Sequence, residues 1–244
     1  MKLQQATWPE VEAYLETSDS IVIPIGSTEQ HGPNGLVGTD AICPEVIAAG
    51  MAERNVLVAP TLSIGMAQHH LAFPGSITLR PSTLTAVIQD VVGSLANHGF
   101  RRFMFLNGHG GNIATVHAAF AEIYAASSLA GRASELHLAL FNWFTGPRIR
   151  KLSAELFGDA EGSHATPSEI SLTWYAHPEC VSDAELDPAR APDGAFRDAI
   201  DYRNTFPDGR IGSEPGLASV AHGERLYRAG LEDAMEALNR LRAE

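Results

Sequence analysis

FMFLNGHGGN, at residues 103–112, runs from apolar side chains directly into a glycine-rich turn with one histidine at its centre. A second stretch, IVIPIGSTEQHG at residues 21–32, has the same order of features, because its apolar run and glycine are followed by Glu29 and His31. Short apolar runs that alternate with longer helical patterns are typical of βα units around a largely parallel sheet. Ligand sites in such sheets collect at the carboxyl ends of the strands, so the two stretches together predict a functional site there.

The rest of the chain fits a single α/β domain over residues 1–244 with a mostly parallel sheet. Apolar runs bounded by turn residues predict strands at residues 20–26, 55–60, 75–79, 101–108 and 135–143. Helical spacing predicts helices at residues 40–54, 81–98 and 112–128, an interrupted helical region at 153–178, and a long amphipathic helix from 217 to 244. Residues 183–216 are rich in Pro, Gly and Asp, and we interpret them as a long ordered surface excursion.

Composition and charge exclude several classes of partner. The net charge is −12 and no run of Lys and Arg exceeds two residues, which argues against nucleic-acid binding and against an anionic membrane surface. We therefore expect a small-molecule partner. Residues 1–20 contain no apolar segment of a targeting peptide, no stretch is apolar enough to span a bilayer, and Cys43 and Cys180 form no CxxC pair. These features predict a cytoplasmic protein with free thiols.

Glu29, His31 and His109 are the first candidates for metal ligands. Residues i and i+2 of an extended segment project to the same side, so Glu29 and His31 can face one crevice, and His109 can add an imidazole from the neighbouring strand end. Taken alone, an ExH pattern more often marks an ordinary polar strand end. A phosphate cradle at GHGGN is a minor alternative, because there is no Walker lysine and Ile113 occupies the third glycine position of the dinucleotide fingerprint.

Two carboxylates have both a structural and a metal-binding interpretation. Asp40 stands where a helix should begin and is a preferred N-cap residue, but the metal site described above lacks a bridging carboxylate, and Asp40 is the nearest one in sequence. TPSE, at residues 166–169, has the pattern of a capping box, with Thr166 as the N-cap and Glu169 at the third helical position. This pattern by itself favours a structural role for Glu169.

Four motifs in this order, GSTEQHGPNGLVGTD, FPGSITL, NGHGGN and SHATPSEIS, resemble the creatininase (creatinine amidohydrolase) family, and the similarity covers nearly the whole chain. The resemblance implies a three-layer α/β sandwich and a cytoplasmic hydrolase of amide bonds outside peptides or in short peptides. It also implies two divalent metal ions per site, zinc first with manganese or iron as other options, and a homo-oligomer, often a hexamer. By position, it makes Asp40 a bridging metal ligand, His164 a catalytic histidine, and the remaining metal ligands Glu29, His31 and His109.

Two departures from the family pattern concern the ligands and the substrate. Creatininase has a glutamate two residues after the histidine of NGH, whereas this chain has Gly111 there. We predict that Glu169 supplies the missing carboxylate as a ligand of the second metal and as part of the catalytic site. The usual HGPHLP is HGPNGL here, with Asn34 and Gly35, a change that concerns the substrate and not the metal chemistry.

The resemblance implies hydrolysis of a cyclic or linear amide in a small molecule by a hydroxide shared between two metals. His164 is the candidate to donate a proton to the leaving nitrogen, because histidine exchanges protons near neutral pH. The backbone N–H groups of Gly110 and Gly111 are candidates to stabilise the oxyanion. Trp143 and Trp174 are candidates for the wall of the substrate pocket, although burial in the core fits each of them equally well.

Alternative functions stay open at this point. Within the same fold, the chain could trim a short peptide or deformylate a pyrimidine-nucleotide precursor. From another class, it could be a metal-free binding or regulatory module. His69 and His70 are interpreted as reaching either the pocket or a subunit interface.

Overall fold

The computed structural model describes all 244 residues and contains one parallel sheet of three strands. The strands, in their order across the sheet, are β1 (Ser20–Ile25), β2 (Arg102–Asn107) and β3 (His137–Asn142). Ile25 pairs with Asn107, which in turn pairs with Asn142, so the three strands end level with one another. The loops that follow β1 and β2 therefore leave the sheet side by side, as the sequence predicts.

The chain also forms eight α-helices. They are α1 (Trp8–Leu15), α2 (Thr39–Ala52), α3 (Pro81–Asn97), α4 (Ile113–Leu129), α5 (Pro147–Leu156), α6 (Pro167–Ala176), α7 (Ala199–Thr205) and α8 (Val220–Arg242). The helices predicted at residues 40–54, 81–98, 112–128 and 217–244 are confirmed as α2, α3, α4 and α8. No helix combines the length and the apolar character that crossing a bilayer requires.

The two faces of the sheet carry separate apolar cores. On β2, Phe103 and Phe105 pack on one face with side chains of α3 and α4, whereas Met104 and Leu106 pack on the other face with side chains of α2 and α8. β1 alternates in the same way, because successive side chains of a strand point to opposite faces. Helices on both faces confirm the predicted three-layer α/β fold.

The prediction of regular strands at residues 55–60 and 75–79 is wrong. Residues around Val58 run parallel beside β1 but form only isolated bridges, because Pro60 has no N–H for the ladder and one extra residue separates two successive bridges. Residues 75–79 make a single antiparallel bridge, through Ile77. Both segments still cover the edge of β1 and the loop that follows it.

The interpretation of residues 183–216 as a surface excursion is also wrong for the part around α7. This part buries Tyr202, Phe206 and Arg210. The Arg210 guanidinium, which has no exposed surface, donates to the Asp208 carboxylate at 2.7 and 2.9 Å and to two backbone carbonyls at 2.7 Å, so its charge is paired. The Gln30 side chain, which donates to the Gly209 carbonyl at 2.9 Å, connects the segment to the loop after β1, where the segment forms one wall of the candidate site.

Candidate active site

Asp40, at the start of α2, reaches the ends of two strands because glycines allow the backbones to approach closely. Gly26 follows β1 and Gly108 follows β2. A Cβ atom at Gly26 would lie 2.1 Å from the Asp40 carbonyl oxygen, and one at Gly108 would lie 1.9 Å from the same atom. Any side chain at either position would push α2 away from the sheet. These glycines therefore bring the Asp40 carboxylate to the edge where the strands end.

The Asp40 carboxylate lies between two buried imidazoles. Its Oδ1 is 3.3 Å from Nε2 of His31, and its Oδ2 is 3.0 Å from Nδ1 of His109. The other nitrogen of each ring donates to a backbone carbonyl, that of Glu29 at 3.1 Å and that of Met66 at 2.9 Å. A neutral ring would then direct its lone pair at the carboxylate, so each contact requires a cation, either a proton or a metal ion, between nitrogen and oxygen.

Protonation of these groups follows the same geometry. Burial by itself would lower the pKa of both histidines, but the Asp40 carboxylate reverses this effect and raises the pKa of His31 to about 10 and that of His109 to about 9. Although burial opposes it, the two imidazoles hold the pKa of Asp40 well below its usual range. In the absence of metal, each ring is therefore protonated on both nitrogens and positively charged at neutral pH.

Glu29 completes one side of this arrangement. Its carboxylate is fully buried, and neither oxygen has a hydrogen-bond partner, although His70 Nε2 lies 3.1 Å from Oε1 and His109 Nε2 lies 3.3 Å from Oε2. Burial, followed by repulsion from Asp40, raises the pKa of Glu29 to about 8. A buried carboxylate without partners is costly, which indicates that a cation belongs beside it.

Glu169 has the two roles between which the sequence could not decide. It forms the capping box of α6, because Oε1 accepts the Thr166 N–H at 2.5 Å and the Glu169 N–H donates to the Thr166 hydroxyl at 3.2 Å. The same Oε1 lies 3.9 Å from Nε2 of His31 on the other side of Asp40. The capping box thus holds the carboxylate where it also faces the imidazole.

The side chains present fit divalent metal ions. His31, Asp40 and Glu169 offer ligand atoms within 4.8 Å of one another, as do Glu29, His69 and His109. Buried atoms without hydrogen bonds cluster here, including both Glu29 oxygens, His31 Nε2 and Asp40 Oδ2. Imidazole and carboxylate ligands suit zinc and manganese, and thiolates are absent from the group. All five residues predicted as metal ligands therefore converge on one place, although their binding of metal is a proposal.

His164 lies beside these residues without entering the contacts of Asp40. Its Nε2–H donates to the Gln30 backbone carbonyl at 2.8 Å, so Nδ1 carries the lone pair. Nδ1 is 4.0 Å from Glu29 Oε1, and the side chain lines the cavity. Burial lowers the pKa of His164 well below the usual histidine value. The ring is therefore neutral and presents a free nitrogen near the carboxylates.

The residues converge on a cavity of about 450 Å³. Gly110, Gly111 and Trp143 line it, as predicted, but Trp174 does not. The Trp174 side chain is buried in a small cluster with Ala165 and Ile170, so it is a core residue and its prediction as a substrate contact is not retained. Trp143 combines both interpretations, since it packs in the main core and also reaches the cavity.

The asparagines of NGHGGN hold the histidine loop in shape. The Asn107 amide donates to the His109 carbonyl at 2.7 Å and accepts the His109 N–H at 3.1 Å. Asn112 donates to the Gly26 carbonyl at 2.9 Å, which joins the loop after β2 to the end of β1. A Cβ atom at Gly111 would lie 2.3 Å from His109 Nε2, so this loop geometry leaves no room for the glutamate of creatininase.

Sequence reasoning missed several residues around the cavity. Gln30 is buried beside Glu29, and Tyr202 and Glu161 line the wall that residues 158–216 provide. His69 and His70, in contrast, were candidates for the pocket from the sequence, and both line the cavity. The Glu161 carboxyl accepts a hydrogen bond from the Ser168 hydroxyl, its Oε2 has no partner, and burial raises its pKa to about 7. The only sequence signal for Glu161 was its position three residues before His164.

Comparison with known proteins identifies relatives. Residues 4–238 match the family model for creatininase, described as creatinine amidohydrolase. Creatinine amidohydrolase of Pseudomonas putida is 36% identical over 112 residues, which cover 43% of this chain and 43% of that protein. 3-Dehydro-scyllo-inosose hydrolase of Thermotoga maritima is 25% identical over 98% of this chain and 81% of its own length. Mycofactocin precursor peptide peptidase of Mycobacterium ulcerans is 25% identical over 96% of this chain and 86% of its own length.

Solved structures give the same relationship over the full length. A manganese form of creatininase superposes with a TM-score of 0.84 at 26% identity and covers 100% of this chain and 99% of that chain. A Zn-Zn form of a creatininase mutant superposes with a TM-score of 0.82 at 25% identity, covering 100% and 98%. Since the family match extends over nearly the whole chain, this protein belongs to the creatininase family, whose relatives named above are hydrolases.

Proposed function

We propose that this protein is a divalent-metal-dependent hydrolase that cleaves the C–N bond of a small non-peptide amide. The observation that carries the proposal is the position of Asp40, which directs one oxygen at His31 and the other at His109. A carboxylate placed in this way can bridge two ions, one beside each imidazole. In this proposal Glu169 completes the ligands on the His31 side, and Glu29 completes those on the His109 side. The manganese and Zn-Zn forms of creatininase support zinc or manganese as the metal.

Divalent ions held by these residues would supply a Lewis acid and an activated water. The remaining steps belong to the chain itself. His164 presents the lone pair of Nδ1 to the cavity, so it accepts a proton from the attacking water and then passes that proton to the leaving nitrogen, which is a poor leaving group as an anion. The N–H groups of Gly110 and Gly111 open a short helical turn, where the first N–H groups have no acceptor within the helix, and they stabilise the developing oxyanion.

The charge of the cavity indicates which amides fit. Its charged lining residues, apart from the histidines, are all carboxylates: Glu29, Asp40, Glu161 and Glu169. Neither Lys nor Arg lines it, so a phosphate or carboxylate on the substrate would have no protein cation to pair with. Trp143, Phe144 and Phe196 add flat apolar surface. We therefore infer a neutral or cationic small amide, and the missing phosphate subsite argues against the nucleotide-precursor deformylase.

Trimming of a short peptide is the second candidate. The relative from M. ulcerans named as a peptide peptidase aligns with 96% of this chain, and a peptide N-terminal amine is a cation that suits the carboxylate-lined cavity. The two candidates differ in the product: a new α-amine and α-carboxylate from a peptide, against ring opening or amine release from a small amide.

The experiment is product analysis with metal-loaded protein. We would load the protein with Zn²⁺ or Mn²⁺, remove the excess, and measure metal per subunit. The metal-loaded protein is then incubated with lactams, formamides, cyclic guanidines, short peptides and 3-dehydro-scyllo-inosose, and the products are identified. We expect near-stoichiometric metal and chelator-sensitive turnover of a neutral or cationic amide. A protein that takes up no divalent ion would be a metal-free binding module, and turnover of peptides alone would establish the second candidate.

A further inference from the structure

Gln30 is a buried glutamine between the two ligand candidates Glu29 and His31, and the orientation of its amide is determined by the backbone. Its Nε2 donates to the Gly209 carbonyl at 2.9 Å, and its Oε1 accepts the Gly32 N–H at 2.8 Å. The reversed amide would place oxygen against the Gly209 carbonyl and an NH₂ group against the Gly32 N–H. The amide nitrogen of Gln30 therefore points to the Gly209 side, where the ring of His70 also lies.

This orientation also determines the protonation state of His70. Gln30 Nε2 lies 2.9 Å from His70 Nδ1, and because the amide nitrogen is a donor, Nδ1 must accept. The proton of the neutral ring is therefore on Nε2. That nitrogen lies 3.1 Å from Glu29 Oε1, and the whole His70 side chain is buried, with 1% of its surface exposed. The N–H group of Nε2 therefore lies beside a Glu29 oxygen, in a place closed to solvent, and the contact in this structure is close but not aligned as a hydrogen bond.

We propose that Gln30 and His70 are positioning residues: the amide of Gln30 holds His70 as its Nε2–H form, and that N–H group holds the Glu29 carboxylate in place. The inference rests on the proposed function, in which Glu29 binds one of the metal ions. Partners of this kind orient a metal ligand and restrict its rotation. The backbone carbonyl of Gln30 also fixes His164, so one residue orients the imidazoles on both sides of Glu29.

Two substitutions of His70 distinguish this positioning role from a role in packing alone. In His70→Gln, the side-chain amide reaches the place of Nε2 and can still donate to Glu29. In His70→Asn, the shorter amide reaches only the place of Nδ1, so Gln30 keeps a partner but no N–H group then lies beside Glu29. We expect His70→Gln to retain metal affinity within about threefold and His70→Asn to lose about 10–100-fold, the range seen when partners of metal ligands are removed.

The measurement is competition with a chelating Zn²⁺ indicator, together with the thermal midpoint of the metal-free protein to establish folding. The same two substitutions at His117, which is exposed on α4, are the matched controls and should leave affinity unchanged. Gln30→Leu gives an independent test, because it removes the amide donor that keeps the proton of His70 on Nε2. We expect this variant to lose affinity as His70→Asn does.

The outcomes distinguish the two proposals. Affinity that falls in His70→Asn and Gln30→Leu but not in His70→Gln supports the positioning role. Equal affinity in all variants, or equal loss in both His70 variants while the wild type binds tightly, overturns the positioning role and leaves the proposed function intact. A wild-type protein that binds no divalent ion refutes the proposed function, and the positioning role with it.

Discussion

Two regions of this molecule build the same cavity by different means. The strand-end loops, residues 26–40 and 108–112, are fixed by the sheet and by α2, and they carry Glu29, His31, Asp40 and His109. The closing segment, residues 158–216, is fixed by the capping box of α6 and by the buried Arg210. It carries Glu161, His164, Glu169 and Tyr202. We propose that the two regions have different roles: the sheet edge supplies most of the metal ligands, and the closing segment handles protons and substrate.

Removing the central carboxylate of the strand-end loops should have the largest effect. In Asp40→Asn the amide keeps the shape but loses the negative charge and the second acceptor oxygen. We expect both metal ions and all measurable turnover to be lost, because in the proposed site each ion would share this ligand. Metal per subunit, measured after gel filtration, checks the expectation.

Asp233→Asn is the matched control for that variant. Asp233 is also buried, but it accepts the N–H groups of Arg148 and Ile149 at the start of α5, away from the cavity. Its variant should have a lower thermal midpoint and full metal content. If Asp40→Asn still binds two ions, Asp40 does not bridge and the strand-end loops lose their proposed role.

Apart from Glu169, the closing segment should contribute to turnover and not to metal binding, and His164 tests this. We expect His164→Ala to keep its metal and its fold while turnover falls about 10²–10⁴-fold, the usual contribution of a general acid or base. Metal content and the maximal rate are measured on the same preparation. The exposed His177 is the control, and His177→Ala should match the wild type. Metal loss in parallel with activity would make His164 a ligand and would contradict the division between the two regions.

Glu169 is the residue of the closing segment that should act on the strand-end loops. A glutamine also fits the third position of a capping box, so Glu169→Gln should cost at most about 1 kcal/mol of stability. We expect one ion to bind at least about tenfold more weakly, because the amide lacks the charge that holds a divalent cation. Metal titration monitored by calorimetry would resolve the two ions.

The chain offers a closely matched control for this variant. Thr7 and Glu10 form a second capping box at the start of α1, on the surface and far from the cavity. Glu10→Gln should change the thermal midpoint about as little as Glu169→Gln does, with no change in metal binding. Full occupancy of both ions in Glu169→Gln would leave its capping role as the whole explanation for this residue.

The two regions also differ in how much of them could be predicted from the sequence. The convergence of Glu29, His31 and His109 was predictable, because parallel strands end together and local spacing sets the direction of nearby side chains. Asp40 and Glu169 were recognisable as candidates, but each also fits a helix cap, and the local pattern is the same in both cases. The structure shows that Glu169 caps and faces the site at once, so the two interpretations were never exclusive.

The closing segment was predicted less well for a physical reason. Its contribution depends on contacts between residues far apart in sequence, such as Gln30 with Gly209, and no local period encodes these. Pro, Gly and Asp in residues 183–216 indicated a surface loop, yet the burial of Tyr202 and Arg210 depends on where the segment docks. Trp174 shows the converse, because a large aromatic residue near a catalytic motif can belong entirely to the core.

The smallest expected effect is a pH dependence of stabilisation by metal. In the metal-free protein, Asp40 overcomes the effect of burial and raises the pKa of His31 to about 10 and of His109 to about 9. The protons on these two histidines therefore stabilise the fold fully below about pH 6.5, the pKa of histidine in the unfolded chain. This contribution is lost as the pH rises through about 9 to 10. Burial raises the pKa of Glu29 to about 8. Between about pH 4.3 and 8 the unfolded chain loses this proton while the folded protein keeps it, so the free energy of unfolding also falls across this range.

Metal binding reverses this dependence, because a metal ion takes the place of those protons and requires deprotonated ligands. The rise in thermal midpoint on adding Zn²⁺ should therefore be larger at about pH 8.5 than at about pH 6, by several degrees if the difference is 1–2 kcal/mol. Proton release on adding Zn²⁺ near pH 7 in weakly buffered solution should accompany it. A metal-induced shift that is the same at both pH values, with no proton release, would mean that the imidazoles facing Asp40 do not exchange protons for metal. Asp40→Asn should show neither effect, since it removes the carboxylate that both cations share.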